Sequence, residues 1–400
     1  MEETIPLKIL LIADGRSPIT RRWISMLKPL RYRISLVSSY PCPPVDGVQN
    51  LHILPLAFSS FAGSQAGGTQ SKKSSSIIAR IRPAAQKLRH WLGPWTLGTK
   101  TGEFQQIIND EKPDILHAMR IPFEGMLAGS ISTGIPLIIS TWGNDFTLHA
   151  PSTPRMRSLT RKTMRKASAL LSDTGIDVSR AVEWGFDPRK PSLVVPGNGG
   201  INLLELNNAN TGVARSTVPT VLNPRGLRSY VRSDTFFKSI PAVLQTLPDT
   251  QFLCTSMAGQ PEAEHWVNLL GIKENVKLLP LLTQEELWRE FASAHVSVSI
   301  SSHDGTPNTL LEAMACGCLP ICGNLPSIRE WITPGENGIL VDPQDPKALA
   351  EAILLGLNSP ELLSSAKRLN SQIITERADV KMVRESVDRF YKDVIRGGTS

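Results

Sequence analysis

The residues in this chain best suited to chemistry are Asp304 and Glu312, two carboxylates within the stretch Ser301–Gly323, SSHDGTPNTLLEAMACGCLPICG. The alternating run His295–Ile300 before them reads as a strand with one buried face. A helix is expected next, with Thr306 as N-cap, Pro307 at the first helical position, a buried stripe of Leu310, Leu311, Met314 and Ala315, and Gly317 as the stop. The first-turn N–H groups of such a helix have no intrahelical partner and sit at its positive end, so Asn308 and Thr309 can present donors to a phosphate. Glu312 lies four residues after Asn308 and three after Thr309, above the same opening, and Asp304 stands in the loop just before it. A carboxylate beside a phosphate is repulsive unless it accepts hydrogen bonds from something else, such as sugar hydroxyls. Together these groups suit a nucleotide sugar.

The same stretch, DGTPNTLLEAMACG, resembles the acidic-x7-acidic signature of the retaining GT-B glycosyltransferases known as family 4, the glycosyl transferases group 1. The resemblance implies that Glu312 meets the nucleotide ribose and Asp304 the donor sugar. Two departures stand out: Asp304 replaces the usual Glu, and Pro307 replaces a glycine and has no N–H to offer.

Elements that could position these residues follow from the whole chain. Its 400 residues, 41% hydrophobic, favour two domains over one. No secretory signal or membrane span is read, since Leu7–Ala13 is a short apolar run of strand character. The five cysteines are odd in number, with Cys316, Cys318 and Cys322 crowded together, which argues against disulfides; Cys316 and Cys318 lack zinc-site spacing and histidine partners. Charge divides by halves. Residues 1–200 hold 25 Lys+Arg against 14 Asp+Glu, and residues 201–400 hold 18 against 22, so an anionic partner is expected on the first half.

Leu7–Ala13 reads as the opening strand of a βαβ sheet, turning at Asp14–Pro18 into a helix near Ile19, with further strands at Arg33–Ser38 and Asn50–Leu56. Ser59–Ser76 is rich in Ser and Gly and reads as a loop. Ile77, Ile78, Ile81, Ala84, Ala85, Leu88, Trp91 and Leu92 then share a helical face, with Lys72, Lys73, Arg80, Arg82, Lys87 and Arg89 near it and Pro83 as a bend. An anionic membrane surface and an ordinary solvated basic face both explain that pattern. Strands are expected at Pro113–Met119, Pro136–Ser140, Ala169–Asp173 and Ser192–Val195, and a basic helix over Arg155–Lys166. Asn207–Thr217 reads as a linker, after which strand and helix alternate again from Thr220. Val383, Val387, Phe390, Tyr391 and Val394 form the stripe of a last helix.

The resemblance implies an α/β, two-domain GT-B architecture: residues 1–205 an acceptor-side Rossmann-like domain, 206–375 a nucleotide-sugar-binding one facing it across a cleft, and 376–400 a helix crossing back to the first. It implies Arg225 and, in place of the usual Lys, Arg232 rather than Arg228 against the donor diphosphate, where guanidinium can bind phosphate in bidentate fashion. Gly15 falls in the loop that approaches the donor, and Asp145, in Thr141–Phe146, falls in the acceptor wall, where Trp142 replaces a common histidine. Asp114–His117 is similar to the family's Asp-x-x-His segment. The catalytic set is then Asp304, Glu312, Arg225, Arg232 and Asp145, and the donor-binding set Gly15, Thr306, Asn308, Thr309, Leu310 and Glu312. No cofactor or metal is expected beyond the nucleoside diphosphate sugar itself. The implied activity is retaining transfer of a sugar to a hydroxyl of a glycan, lipid-linked or small-molecule acceptor, with attack on the face the leaving group vacates and no covalent role for Asp304. Three alternatives stay open: a degenerate nucleotide-sugar-binding protein, a GT-B enzyme of other chemistry such as an epimerase, and nucleic-acid binding by the basic half, which four tyrosines and the absence of an RNA-binding motif disfavour. The expected location is the cytoplasm, at the inner membrane face if the basic helix meets lipid.

Overall fold

The computed structural model describes residues 6–59, 88–228 and 230–397. The chain divides into two compact units, Met1–Gly199 with Val383–Ser400, and Gly200–Met382.

The first unit is built on seven parallel strands: β1 (Lys8–Ala13), β2 (Arg33–Ser38), β3 (Asn50–Ile53), β4 (Ile115–Ala118), β5 (Leu137–Thr141), β6 (Ala169–Ser172) and β7 (Ser192–Val194), in the order β3-β2-β1-β4-β5-β6-β7. Helices α1 (Pro18–Leu27), α2 (88–96), α3 (Thr101–Glu111), α4 (Met126–Ala128), α5 (Pro154–Lys166) and α6 (Gly175–Glu183) connect or flank them. β1, KILLIA, is a continuous apolar run because helices cover both faces of a parallel sheet. The strand order reverses between β1 and β4, which opens a crevice at their carboxyl ends.

The second unit repeats the plan with β8 (Thr220–Asn223), β9 (Gln251–Cys254), β10 (Val276–Leu278), β11 (Val296–Ser299), β12 (Leu319–Gly323) and β13 (Ile339–Val341), ordered β10-β9-β8-β11-β12-β13. Its helices are α7 (Leu203–Ala209), α8 (Ser233–Thr246), α9 (Pro261–Leu270), α10 (Gln284–Ser293), α11 (Asn308–Ala315), α12 (Pro346–Asn358) and α13 (Pro360–Arg377). Here the reversal falls between β8 and β11. Two Rossmann-like parallel sheets with helices on both faces make this a two-domain GT-B fold.

The last helix, α14 (Val380–Gly397), places Val383 onward in the first unit. Its buried stripe is the expected Val383, Val387, Phe390, Tyr391 and Val394, and each such side chain contributes about 1.5–3 kcal/mol by leaving water. Tyr391 fixes its register. Its hydroxyl lies 2.8 Å from His117 Nδ1 and accepts from Trp23 Nε1 at 3.3 Å, while His117 Nε2 is 2.8 Å from Ser140 Oγ. Burial pushes the pKa of His117 down to about 3, so this histidine is a neutral core residue.

Several elements differ from expectation. β11 is buried on both faces, since its alternation of Val and Ser places serines under a covering layer as well. Helix α7 occupies the start of the expected linker, capped by Asn202, whose side chain accepts from Glu205 N. The chain after β4 makes a wide turn, Ile121–Gly125, before α4, with Phe123 at φ 66°, ψ −57°. The loop expected at Ser59–Ser76 and most of the basic amphipathic segment lie outside the described residues, which resume at Leu88 within α2.

Candidate active site

In the second unit the carboxyl ends of β8 and β11 bring Arg225 and Asp304 together. Asn223, the last residue of β8, accepts from Arg225 N at 3.2 Å and holds the following loop, and an antiparallel bridge from Val231 to Ser301 ties that loop to the one after β11. Arg225 Nη2 donates to Asp304 Oδ2 at 2.7 Å, Ser301 Oγ donates to the same oxygen at 2.9 Å, and Arg225 Nη1 reaches Thr309 Oγ1 at 3.4 Å. Arg225 is 8% exposed, so this pair is largely withdrawn from solvent. Its Nε has no hydrogen-bond partner, and neither do the buried hydroxyls of Ser233 and Ser299.

Helix α11 begins one residue later than expected. Pro307 is the N-cap and supplies no side-chain bond, while its carbonyl accepts from Leu310 N at 3.0 Å. Thr306, expected as the cap, instead accepts from Trp331 Nε1 at 2.9 Å, which pins the loop. The N–H of Leu310, expected among the donor-binding residues, is engaged by Pro307, and its side chain is buried. Asn308 and Thr309 are the first helical residues, half-buried, with first-turn N–H groups of the kind that bind anions. Glu312 stands one turn on, 3% exposed, with Gln284 Nε2 donating to its Oε1 at 2.9 Å. Gln284 opens α10, and a capping box formed by Thr283 and Glu286 sets its position. Gly317 closes α11 at φ 72°, the left-handed conformation glycine adopts without strain.

Arg232 turns to Asp234, with both contacts at 2.9 Å, and Arg228 donates to Tyr230 Oη at 3.1 Å. The pairing with Asp234 occupies the Arg232 fork, so Arg225 and not Arg232 is the guanidinium placed against Asp304.

In the first unit Asp145 is 1% exposed at the end of β5. It accepts from Ile121 N at 3.1 Å and Trp142 N at 3.4 Å, and lies 3.7 Å from Arg120 Nη2. Burial raises its pKa to about 6 against the opposing pull of Arg120. Gly15 is needed for close packing, since a Cβ there would lie 2.5 Å from Cys42 Sγ and 3.0 Å from Ser38 Oγ. Around the same strand ends stand Arg16, Tyr40, Arg89, Arg120, Glu124 and Trp142.

The family model described as Glycosyl transferases group 1 matches residues 220–359, and that described as Glycosyl transferase 4-like domain matches residues 67–197. Between them they span about two thirds of the chain. It belongs to the GT-B glycosyltransferases.

The chain is 26% identical over 234 residues to D-inositol 3-phosphate glycosyltransferase of Geodermatophilus obscurus, a match covering 54% of this chain and 51% of that one. Over 94 residues it is 32% identical to O-antigen chain mannosyltransferase B of Escherichia coli, covering 24% and 22% of the two chains. The matches thus span about half or less of these curated relatives. Solved structures share the fold at greater length. Sucrose-phosphate synthase from Thermosynechococcus elongatus superposes with a TM-score of 0.74 at 15% identity, covering 98% of this chain and 100% of that one. Anabaena HepE, crystallised with UDP and glucose, gives 0.68 at 15%, covering 97% and 100%.

Sequence reasoning missed Gln284, Ser299 and Ser301 in the second unit and the arginine-rich rim in the first. Ser301 and Arg120 each sit just past a strand, a position at which carboxyl-end crevices recruit ligands, and that rule could have found them. Nothing in the order of residues marks Gln284 as the partner of Glu312. Among the described residues no group of three or more His, Cys, Asp or Glu is arranged to hold a metal, and no helix is long and apolar enough to cross a membrane.

Proposed function

We propose that this chain transfers a sugar from a nucleoside diphosphate sugar to an acceptor hydroxyl, with retention of anomeric configuration and without a metal, in the assembly of a glycan or glycolipid. The arrangement that carries this reading is the buried Arg225–Asp304 pair beside the first turn of α11, with Glu312 one turn further on. A diphosphate oxygen would take the idle Nε of Arg225 and the first-turn N–H groups of Asn308 and Thr309, and this fixed positive field would stabilise charge on the departing diphosphate. Glu312, steadied by Gln284, would accept from the ribose, and Asp304 from the donor sugar. Pairs of this kind suit a leaving group that acquires charge as the glycosidic bond breaks. Gly200–Met382 is then the donor unit and Met1–Gly199 the acceptor unit, with Asp145 holding the acceptor loops in place. A HepE structure that holds UDP and glucose, and relatives named for glycosyl transfer with D-inositol 3-phosphate and for the synthesis of sucrose phosphate, fit this class.

The acceptor unit also meets an anionic membrane surface in this reading. Helix α2 exposes Leu88, Trp91, Leu92 and Trp95 at helical spacing, and Arg155 of the basic helix α5 lies 4.9 Å above the Trp95 ring. Such a chain would work on the cytoplasmic side, where anionic lipid attracts basic faces. Binding to anionic vesicles should fall with salt and with Trp91→Ser and Trp95→Ser together; indifference to both would remove the membrane from the proposal.

Donor hydrolysis and sugar transfer on wild type, Glu312→Ala and Arg225→Ala test the main reading. Turnover unchanged in both variants would overturn the site, and a wild type that binds no nucleotide sugar would overturn the function.

A further inference from the structure

The sequence places a strong capping pair at the opening of α11, and the fold leaves it unused. Threonine followed by proline is the arrangement expected of an N-cap and a first helical residue, yet Pro307 is the N-cap and makes no side-chain capping bond. Its φ of −67° already suits a helix; ψ of 128° alone keeps it outside. One backbone rotation would therefore make Pro307 the first helical residue and Thr306 the cap. In that frame the Thr306 hydroxyl would accept from the N–H of Asn308 or Thr309, the second and third helical residues. These are the same two N–H groups that a diphosphate would take. Capping and phosphate binding compete for one pair of hydrogen-bond donors.

Trp331 decides between them. Its Nε1 donates to Thr306 Oγ1 at 2.9 Å, and the indole is itself fixed from several directions. Trp331 is 5% exposed and packs in the cluster that holds Leu310, Leu311 and Met314 of α11 together with Ile328 and Ile332. The Arg377 guanidinium lies 4.2 Å from its ring centroid, Arg377 Nη1 donates to the carbonyl of neighbouring Glu330 at 2.8 Å, and Asn337 Nδ2 donates to the Trp331 carbonyl at 2.9 Å. A second peg comes from the same segment, where Ser327 Oγ donates to the Asp304 carbonyl at 2.7 Å. The loop Asp304–Pro307 is thus held near both of its ends by a rigid neighbour. Leaving the first turn without a side-chain cap sacrifices helix stability. What remains is an opening beside Arg225, whose Nη1 lies 3.4 Å from Thr309 Oγ1 and whose buried Nε has no hydrogen-bond partner.

We propose that Trp331 is a positioning residue for the diphosphate of the nucleotide sugar: its indole N–H holds the Thr306 hydroxyl away from the N-cap, so that α11 starts one residue late and keeps its first-turn N–H groups open to phosphate. The proposal rests on the reading of α11 as the phosphate-binding helix, and it adds a residue that acts through Thr306 and not by contact with the ligand.

The test compares the full wild-type chain with Trp331→Phe and with Trp331→Phe combined with Thr306→Val, which has no hydroxyl left to cap the helix. Amide hydrogen exchange at Asn308 and Thr309 is followed by NMR, and binding of uridine diphosphate and of inorganic pyrophosphate by calorimetry. In Trp331→Phe, exchange at Asn308 or Thr309 should slow and both probes should bind about fivefold or more weaker, because a capping bond has to be broken first. In the double variant exchange should return to the wild-type rate and affinity should recover. A tryptophan with a merely structural role predicts the reverse: faster exchange in the single variant and an affinity that the second substitution leaves low or lowers further. Replacing Trp331 by benzothienylalanine, which keeps the bicyclic ring and lacks only the N–H, separates the lost hydrogen bond from lost packing should Trp331→Phe fold poorly. Unchanged or faster exchange in the single variants overturns the proposal, as does a loss of affinity that Thr306→Val does not restore. Single variants that bind both probes as tightly as the wild type overturn it and leave the phosphate reading of α11 standing, whereas a wild type that binds neither probe overturns both.

Discussion

The two strand-end rims of this chain use similar chemistry and are assembled in opposite ways. In the second unit Asp304, Thr309 and Glu312 come from one short segment, and their cation, Arg225, enters from the neighbouring strand end. In the first unit Arg16, Tyr40, Arg89, Arg120 and Trp142 come from four strand ends and a helix spread over more than a hundred residues. The second-unit rim couples Arg225 to Asp304 across 79 positions at 2.7 Å, whereas in the first unit the direct pair, Arg16 with Asp14 at 3.0 Å, is local, Arg120 comes no nearer than 3.7 Å to Asp145, and guanidinium faces rest on aromatic rings. A contiguous motif fixes geometry through one helix end. A dispersed one depends on every loop that feeds it, and should fail more gradually.

That contrast can be broken experimentally. The largest effect is expected from Arg225→Met, which leaves Asp304 charged and nearly buried: about 3–5 kcal/mol of stability by denaturant unfolding, and a fall of about 10²–10³ in kcat. A milder loss in both quantities would mean that solvent or Ser301 can replace the guanidinium. Next is Asp145→Ala, which strands the N–H groups of Ile121 and Trp142 and should cost about 1–3 kcal/mol for each group left unsatisfied. Nucleotide binding by the variant, measured by calorimetry, should hold if the two rims are independent, and its loss would couple them.

A pH series on His117→Gln addresses the sheet beneath the first rim. His117 has a folded pKa of about 3 against an ordinary value of 6.5, so the unfolded chain binds the proton first as pH falls. Its contribution is complete above pH 6.5 and is lost below it at about 1.4 kcal/mol per pH unit. The stability difference between wild type and variant should therefore shrink from pH 7 to pH 5. A difference independent of pH would show that His117 takes up its proton in the fold as it does in the unfolded chain. Asp145, with its pKa raised to about 6, acts in the opposite sense, its contribution being lost as pH rises through that value, which is why the difference and not the absolute stability is the readout. The smallest effect is expected from Gly15→Ala, where crowding against Cys42 and Ser38 should cost about 1–3 kcal/mol by thermal unfolding and leave kcat unchanged. A kinetic defect at normal stability would support the expected contact of Gly15 with the donor.

Much of the architecture was legible in the order of residues. The apolar runs of β1, β2 and β5, the stripe of α14 and the restart of alternation at Thr220 predicted where strands and helices lie, because burial imposes a period that single residues cannot hide. The cap of α11 was not legible: Thr306 is an excellent capping residue, yet a distant indole, Trp331, takes its hydroxyl. Likewise the order of residues does not show that Arg232, expected against the donor diphosphate, pairs with Asp234 two residues away, whose carboxylate matches the guanidinium fork. Competing local partners of equal chemistry are settled by rotamer and packing, which spacing does not encode.

By itself, then, the sequence determined the strand and helix alternation, the acidic pair at a helix opening and the charge asymmetry between halves, since each follows from local pattern and composition. The tertiary structure alone decided that Arg225 closes on Asp304, that Gln284 steadies Glu312 and that Arg89, Arg120 and Trp142 keep buried donors idle on a common rim. Those pairings join residues dozens of positions apart, and it is the parallel stacking of strands, with their carboxyl ends on one edge, that brings them within a hydrogen bond of each other.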